Sequence, residues 1–200
     1  EMCIRDRKRD MEVALCQNTA KNAGNASTAR QTRSFEAWIT TNKSRGTGGA
    51  DGSASAAATD AATGNRRALT EALLKGVLQS MFTNGAEPKM AIAGPVNKGV
   101  ISGFTGRANT RQNVSADTVS ASISVYASDF GELQIVPSNR SRDRSLLLVD
   151  PEYAKVAYLR NFQTMDIAKI GDADTKMILA EYGLEMSNEA AHGIVADLTA

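Results

Sequence analysis

Leu69-Thr70-Glu71-Ala72-Leu73-Leu74-Lys75-Gly76-Val77-Leu78-Gln79-Ser80-Met81 is the stretch on which the fold turns. Leu69, Leu73, Val77 and Met81 recur every four residues, and Leu74 and Leu78 widen the stripe into a face. The spacing therefore predicts a helix from Asn65 to Phe82, buried along one side. Thr63 or Asn65 is placed to cap its start, and Asn84-Gly85 to end it. A short apolar run, Met90 to Ala93, follows as a strand. Gly94-Pro95 then opens a second helix with Val96, Val100, Ile101 and Phe104 inward, proline being tolerated in a first turn whose N–H has no helical partner. Helix, strand, turn, helix predicts α/β packing around a buried strand.

Downstream the apolar period falls to two. Val119, Ala121, Ile123 and Val125 share one face, with Ser120, Ser122, Ser124 and Tyr126 on the other. Asp129-Phe130-Gly131 turns the chain and Leu133 with Ile135 leads it back, so a hairpin is expected. Leu146 to Val149 reads as a short strand halted by Asp150-Pro151. After Arg160-Asn161-Phe162-Gln163, residues Thr175 to Ser187 alternate again, with Ile178, Ala180, Tyr182, Leu184 and Met186 on one side. Upstream, Lys8 to about Lys21 has a helical stripe of Met11, Leu15 and Asn18, flanked by Val13 and Ala14 and stopped by Gly24. Ala37-Trp38-Ile39-Thr40 is an apolar island whose tryptophan is expected to anchor a core. Gly46 to Asn65 is a run of Gly, Ala, Ser and Thr with Asp51 and Asp60 as its charges. It lacks core-building side chains and is expected to be a mobile loop. The class is α+β, with helices early and strands late.

Composition narrows the function. The 200 residues carry 42% hydrophobic and 22% charged side chains, an ordinary globular balance. Twenty-three Lys+Arg against 22 Asp+Glu give a net charge of +1, which offers no electrostatic case for a dedicated nucleic-acid binder. Aromatics, at 5%, are too sparse for a ladder of base-stacking platforms. One histidine, His192, and two cysteines, Cys3 and Cys16, cannot furnish a closed zinc site or a framework of several disulfides. No apolar run has the length of a membrane span, and no signal peptide is apparent. Glu1 to Arg7 has no clear period and resembles translated sequencing-adapter read-through, which would place the true start of the protein near Lys8.

Each candidate chemistry has a plainer reading. Gly94-Pro95-Val96-Asn97-Lys98 between strand and helix has the outline of a phosphate-binding turn, but phosphate-loop spacing is missing and Pro95 removes a donor. A tight strand-to-helix connection is expected. Asp129-Phe130-Gly131 matches a kinase metal-binding tripeptide without the accompanying loops and is expected to be a hairpin turn. His192 has no nucleophile elbow to serve and is assigned to a local turn. Arg140-Ser141-Arg142-Asp143-Arg144 is expected as a solvated loop, able to meet phosphate or a neighbour's carboxylates. Asp172 and Asp174 sit in a loop with no further magnesium ligands. The expectation is no catalytic, cofactor-binding or metal-binding residue, and no cofactor.

Four stretches taken in order carry a resemblance: Lys8-Arg9-Asp10-Met11-Glu12 with the helix after it; Ala68 to Lys75 running to Phe82-Thr83-Asn84-Gly85; Val125-Tyr126-Ala127-Ser128-Asp129-Phe130-Gly131; and Asp150-Pro151-Glu152-Tyr153 through Ala157-Tyr158-Leu159-Arg160. The last continues into Phe162-Gln163-Thr164, Lys169 to Ala173 and Glu181-Tyr182. Together they resemble the major capsid proteins of tailed bacteriophages with the Hong Kong 97-like fold. The resemblance implies the end of a spine helix within residues 1–34, an axial domain over 35–145 that includes the 46–65 loop, and peripheral-domain strands over 146–200. It implies that an N-terminal arm, an extended loop and the first part of the spine helix precede this chain. It further implies a non-enzymatic subunit of an icosahedral shell around packaged DNA, assembling into hexamers and pentamers in the host cytoplasm and residing in the virion. Portal, scaffold and decoration proteins would be partners, DNA would be touched only weakly and non-specifically, and no membrane would be involved. Near-neutral charge suits self-association, and heterologous contacts close into rings. Two alternatives remain: a nucleotide- or phosphate-binding α/β enzyme using the Gly94 turn, and another virion protein such as a decoration or tail subunit.

Overall fold

The leucine stripe builds the helix it predicts, but over Glu71–Thr83, several residues later than the pattern alone indicates. The computed structural model describes the backbone of residues 2–104, 124–169, 171, 172 and 174–199, and the side chains from Lys8 onward. In chain order the elements are α1 (Met2–Cys16), α2 (Phe35–Trp38), β1 (Asn42–Ser44), α3 (Glu71–Thr83), β2 (Met90–Ala93) and α4 (Pro95–Ser102). They are followed by β3 (Val125–Ser128), β4 (Gly131–Pro137), β5 (Leu146–Val149), β6 (Ala154–Asp166), β7 (Lys176–Met186) and β8 (Gly193–Val195), with 3₁₀ turns at Thr63–Asn65 and Glu189–Ala191.

Two sheets result. Six strands pair in the order β1-β8-β5-β2-β4-β3, parallel for β1/β8 and β2/β4 and antiparallel elsewhere; β6 and β7 form a separate antiparallel hairpin. Apolar residues fill both faces of the main sheet. Leu146 and Leu148 join Leu74, Val77, Leu78 and Met81 of α3 and Ile101 of α4, while Leu147 and Val149 join Leu15, Phe35, Ile39 and Ile194. Period-two alternation thus serves two cores at once, which is why β5 reads as an unbroken apolar run.

The cap of α3 is Thr70, whose side chain accepts from the Leu73 N–H at 3.4 Å, and not Thr63 or Asn65. The delay has a cause: Arg67 is held extended against the C-terminal segment, its N–H donating to the Asp197 carbonyl at 2.9 Å. The end of the helix is as expected. Gly85 adopts φ +80°, Ala86 N–H donates to the Met81 carbonyl and Gly85 N–H to that of Phe82, each at 3.0 Å. This is the Schellman arrangement that satisfies the last carbonyls.

Other expectations shift. The first helix ends at Cys16, short of Lys21, and Gly24 (φ +78°) turns the strand-like segment that bridges Asn22 to Gln31 rather than closing a helix. Asn18 falls beyond the helix. In α4 the buried residues are Asn97 and Ile101, with Val96 and Val100 outward, because the Asn97 amide reaches the carbonyls of Asp143 (2.8 Å) and Ser145 (3.3 Å). In β3 it is Tyr126 that is buried and Val125 that is exposed, since the tyrosine hydroxyl donates to Glu71 at 2.9 Å across to α3. Val119, Ala121 and Ile123 lie outside the described residues. Segment 146–200 does not form a single unit, since β5 and β8 lie in the main sheet beside β2 and only β6 and β7 stand apart.

Gly46 to Asn65 has no core of its own, yet polar contacts fix it at four places. Asn18 exchanges hydrogen bonds with Ala58 (2.6 and 2.9 Å), and Asp51 pairs with Arg45 (2.9 Å) and with Lys43. Asp60 pairs with Arg142 and Arg144. Asp197, buried at φ +59°, accepts from the N–H groups of Gly46 (2.9 Å) and Ala61 (2.7 Å). Such a backbone conformation is uncommon outside glycine, and the two bonds hold it.

Candidate functional site

The turn between β2 and α4 is occupied by the chain itself. Asp143 Oδ1 accepts from the Val96 N–H at 3.2 Å, and a Cβ at Gly94 would collide with the same oxygen. A carboxylate already complements the positive end of α4 where a phosphate would sit, which removes the feature on which the enzyme alternative rested. Asp129-Phe130-Gly131 is the β3–β4 turn, with Gly131 at φ +124° and the Phe130 ring on Phe82 at 5.3 Å. Asp174 pairs with Lys169 at 2.6 Å on the exposed β6–β7 turn. Among the described residues no three His, Cys, Asp or Glu side chains gather into a metal site, and no helix is long and apolar enough to cross a membrane.

The arginine run is not a solvated loop. Arg142 donates to Glu36 at 3.0 Å and pairs with Asp60, while Arg144 reaches Asp60 at 3.1 Å. Glu36 is 1% exposed; it also accepts from the Ser145 hydroxyl at 3.1 Å, and Arg45 lies 4.0 Å away. Burial pushes the Glu36 carboxyl upward against the pull of Arg142 and Arg45. The two acidic partners of Arg142 lie 106 and 82 residues from it in sequence, so no local pattern announces them.

His192 is buried in the sheet side of the hairpin base. Its Nδ1 accepts from the Asp150 N–H at 3.2 Å, Nε2 has no well-formed hydrogen bond among the described residues, and the ring meets Phe35 edge-on at 6.2 Å. Burial lowers its proton affinity, opposed by the Tyr153 carbonyl, Asp150 and Glu189. Cys16 lines a smaller groove of about 490 Å³, and burial, with Glu12, pushes its thiol up to about 11, so it is protonated at neutral pH.

What stands out is the β6–β7 hairpin. At its base Ala154 pairs with Met186 and Val156 with Leu184, and these four pack on the second core. Beyond the base the strands project. Two register irregularities, after Tyr158 and after Arg160, turn Leu159 outward until it is 80% exposed. Tyr158, Met165, Ile167 and Met177 are exposed as well. Between the hairpin and α1 runs a groove of about 900 Å³, lined by Val13, Ala14, Tyr158, Leu159, Ala180 and Tyr182 among others. The Tyr158 hydroxyl reaches Met11 Sδ of α1 at 3.4 Å. Sequence reasoning passed over β6; its signal was the run Val156-Ala157-Tyr158-Leu159, more apolar than the strand's exposure requires.

The fold and this surface define a protein whose distinguishing feature is an uncovered apolar arm beside a groove. The chain belongs to the SU10 major capsid protein family, whose profile matches residues 1–199. Among solved structures it resembles the virus-like particle from Pyrococcus furiosus, with 14% identity over 64% of this chain and 53% of that one and a TM-score of 0.40. The chain thus spans about half the length of that relative. No curated protein matches it.

Proposed function

We propose that this chain is a structural, non-enzymatic subunit of a virion shell that encloses DNA, and that it acts by self-association. The observation that carries the reading is the family match over residues 1–199. The exposed Tyr158, Leu159 and Met165 on a hairpin beside a groove support it, because a second copy laid there would bury apolar surface that the single chain leaves wet. In the Hong Kong 97-like arrangement, α1 is the end of the spine helix. The sheet with α3 and α4 is then the axial body, and β6–β7 belongs to the peripheral arm. Copies meet in hexamers and pentamers, in the host cytoplasm before they reside in the virion, with portal, scaffold or decoration proteins as further partners. DNA contact is weak and non-specific, in keeping with a net charge of +1.

Electron microscopy of the protein expressed from its complete reading frame tests this. Rings or closed shells are expected. A monodisperse monomer, even with its scaffold and portal co-expressed, contradicts the reading.

A further inference from the structure

The hairpin leaves and rejoins the sheet at one place. β5 ends at Val149, Asp150 to Tyr153 turn the chain into β6, and β7 returns through Ser187 and the Glu189–Ala191 turn to β8. His192 stands at that junction, 0% exposed. On one side its Nδ1 holds the Asp150 N–H. On the other its N–H donates to the Glu189 carbonyl at 3.0 Å, and its carbonyl accepts from the Asn42 amide at 3.0 Å. The turn it grips is otherwise closed by Tyr153 N–H to the Asp150 carbonyl (3.2 Å), Glu152 N–H to Asp150 Oδ1 (3.1 Å) and Ser187 N–H to the Tyr153 carbonyl (2.9 Å).

We propose that His192 is a proton-controlled latch: neutral, it fastens the base of the β6–β7 hairpin to the sheet, and protonated, it lets that base open. The chemistry is that of the acceptor. A neutral imidazole offers a lone pair at Nδ1, whereas an imidazolium carries hydrogen on both nitrogens and sets an N–H against the Asp150 N–H. Asp150 and Glu189 are the charges that act on the ring, and both favour protonation, as does the Tyr153 carbonyl; burial outweighs them. Arg33 beside α2 faces Glu189; Lys155 and Glu185 stand opposite each other at the hairpin base; and other charges on neighbouring elements are engaged elsewhere. On α2, Glu36 is held by Arg142; on β1, Lys43 pairs with Asp51; on α3, Glu71 pairs with Lys75; and in the turn, Glu152 pairs with Lys89.

The sign follows. The folded group binds its proton less readily than the opened one, whose midpoint lies near ~6.5. The contribution is therefore complete above about pH 6.5 and is lost as pH falls below it. Opening is local because, beyond Ala154, Val156, Leu184 and Met186, the hairpin has little packing on the body. The latch itself does not depend on the shell reading, which governs only what its opening does to assembly.

Hydrogen exchange of the whole chain between pH 7.5 and 5, corrected for intrinsic rates, tests it. The Asp150, Tyr153 and Ser187 amides should lose up to about tenfold protection per pH unit below ~6.5, the slope of one proton. Amides of α3 should hold. In His192→Gln, whose side-chain oxygen accepts the Asp150 N–H without titrating, the pH dependence should vanish. As the protein has one histidine, its ring resonance can be titrated directly by NMR in the unaltered chain, and its midpoint should lie below ~6.5, where the loss of protection levels off. Protection unchanged down to pH 5, an identical transition in His192→Gln, or α3 opening in step would each overturn the latch. A working latch in a chain that never assembles would defeat the shell reading alone.

Discussion

β5 and β6 are separated by four residues, yet they live in different worlds. All four side chains of β5 are buried, alternating into two cores, whereas most of the thirteen residues of β6 are exposed, with Leu159 the most exposed large apolar side chain described. The first strand is completed by its own chain and the second is not. On the proposed reading, stability falls to one strand and association to its neighbour, and a change in one need not disturb the other.

The same substitution in both strands is the sharpest break of that contrast. Leu148→Asp puts an unpaired charge where the leucine is 0% exposed and should cost more than about 5 kcal/mol, comparable to the whole stability of a typical domain. Circular dichroism should show the variant unfolded. Glu36→Ala leaves Arg142 facing Asp60 without its buried partner and should cost about 3 kcal/mol in denaturant unfolding. Asp197→Ala strands the Gly46 and Ala61 N–H groups and leaves the residue in a conformation alanine resists. About 2 kcal/mol is expected, with proteolysis moving first to the 46–65 segment. Leu159→Asp should change unfolding by no more than about 0.5 kcal/mol, since that side chain is 80% exposed.

The division also explains what could be read beforehand. Elements that bury one face against their own chain were legible. The α3 stripe, its Asn84-Gly85 stop, the Met90–Ala93 strand with Gly94-Pro95 after it, and the Asp129–Gly131 turn are local patterns with local causes. β6 was not, because two register breaks interrupt its alternation and exposure on both faces leaves no apolar period. The outward roll of Val96 and Val100 was hidden too, for it is set by the Asn97 amide reaching carbonyls near residue 145. Charge runs misled for the same reason. Arg140 to Arg144 looks solvated until Glu36 and Asp60 arrive from far upstream, and the Gly-rich segment looks unattached until Asp197 reaches it from the other end of the chain. The sequence-wide resemblance pointed to the kind of protein, while the exposure of Leu159 became visible only with the strand that turns it outward.

The central claim is that the hairpin's exposed face is where copies of this chain meet. It is tested most directly by electron microscopy and light scattering of the complete protein carrying Leu159→Asp, beside the unaltered protein. The account predicts that both unfold at the same midpoint, while only the unaltered protein forms rings or shells. Assembly by the variant at the same concentration and in the same form would contradict it.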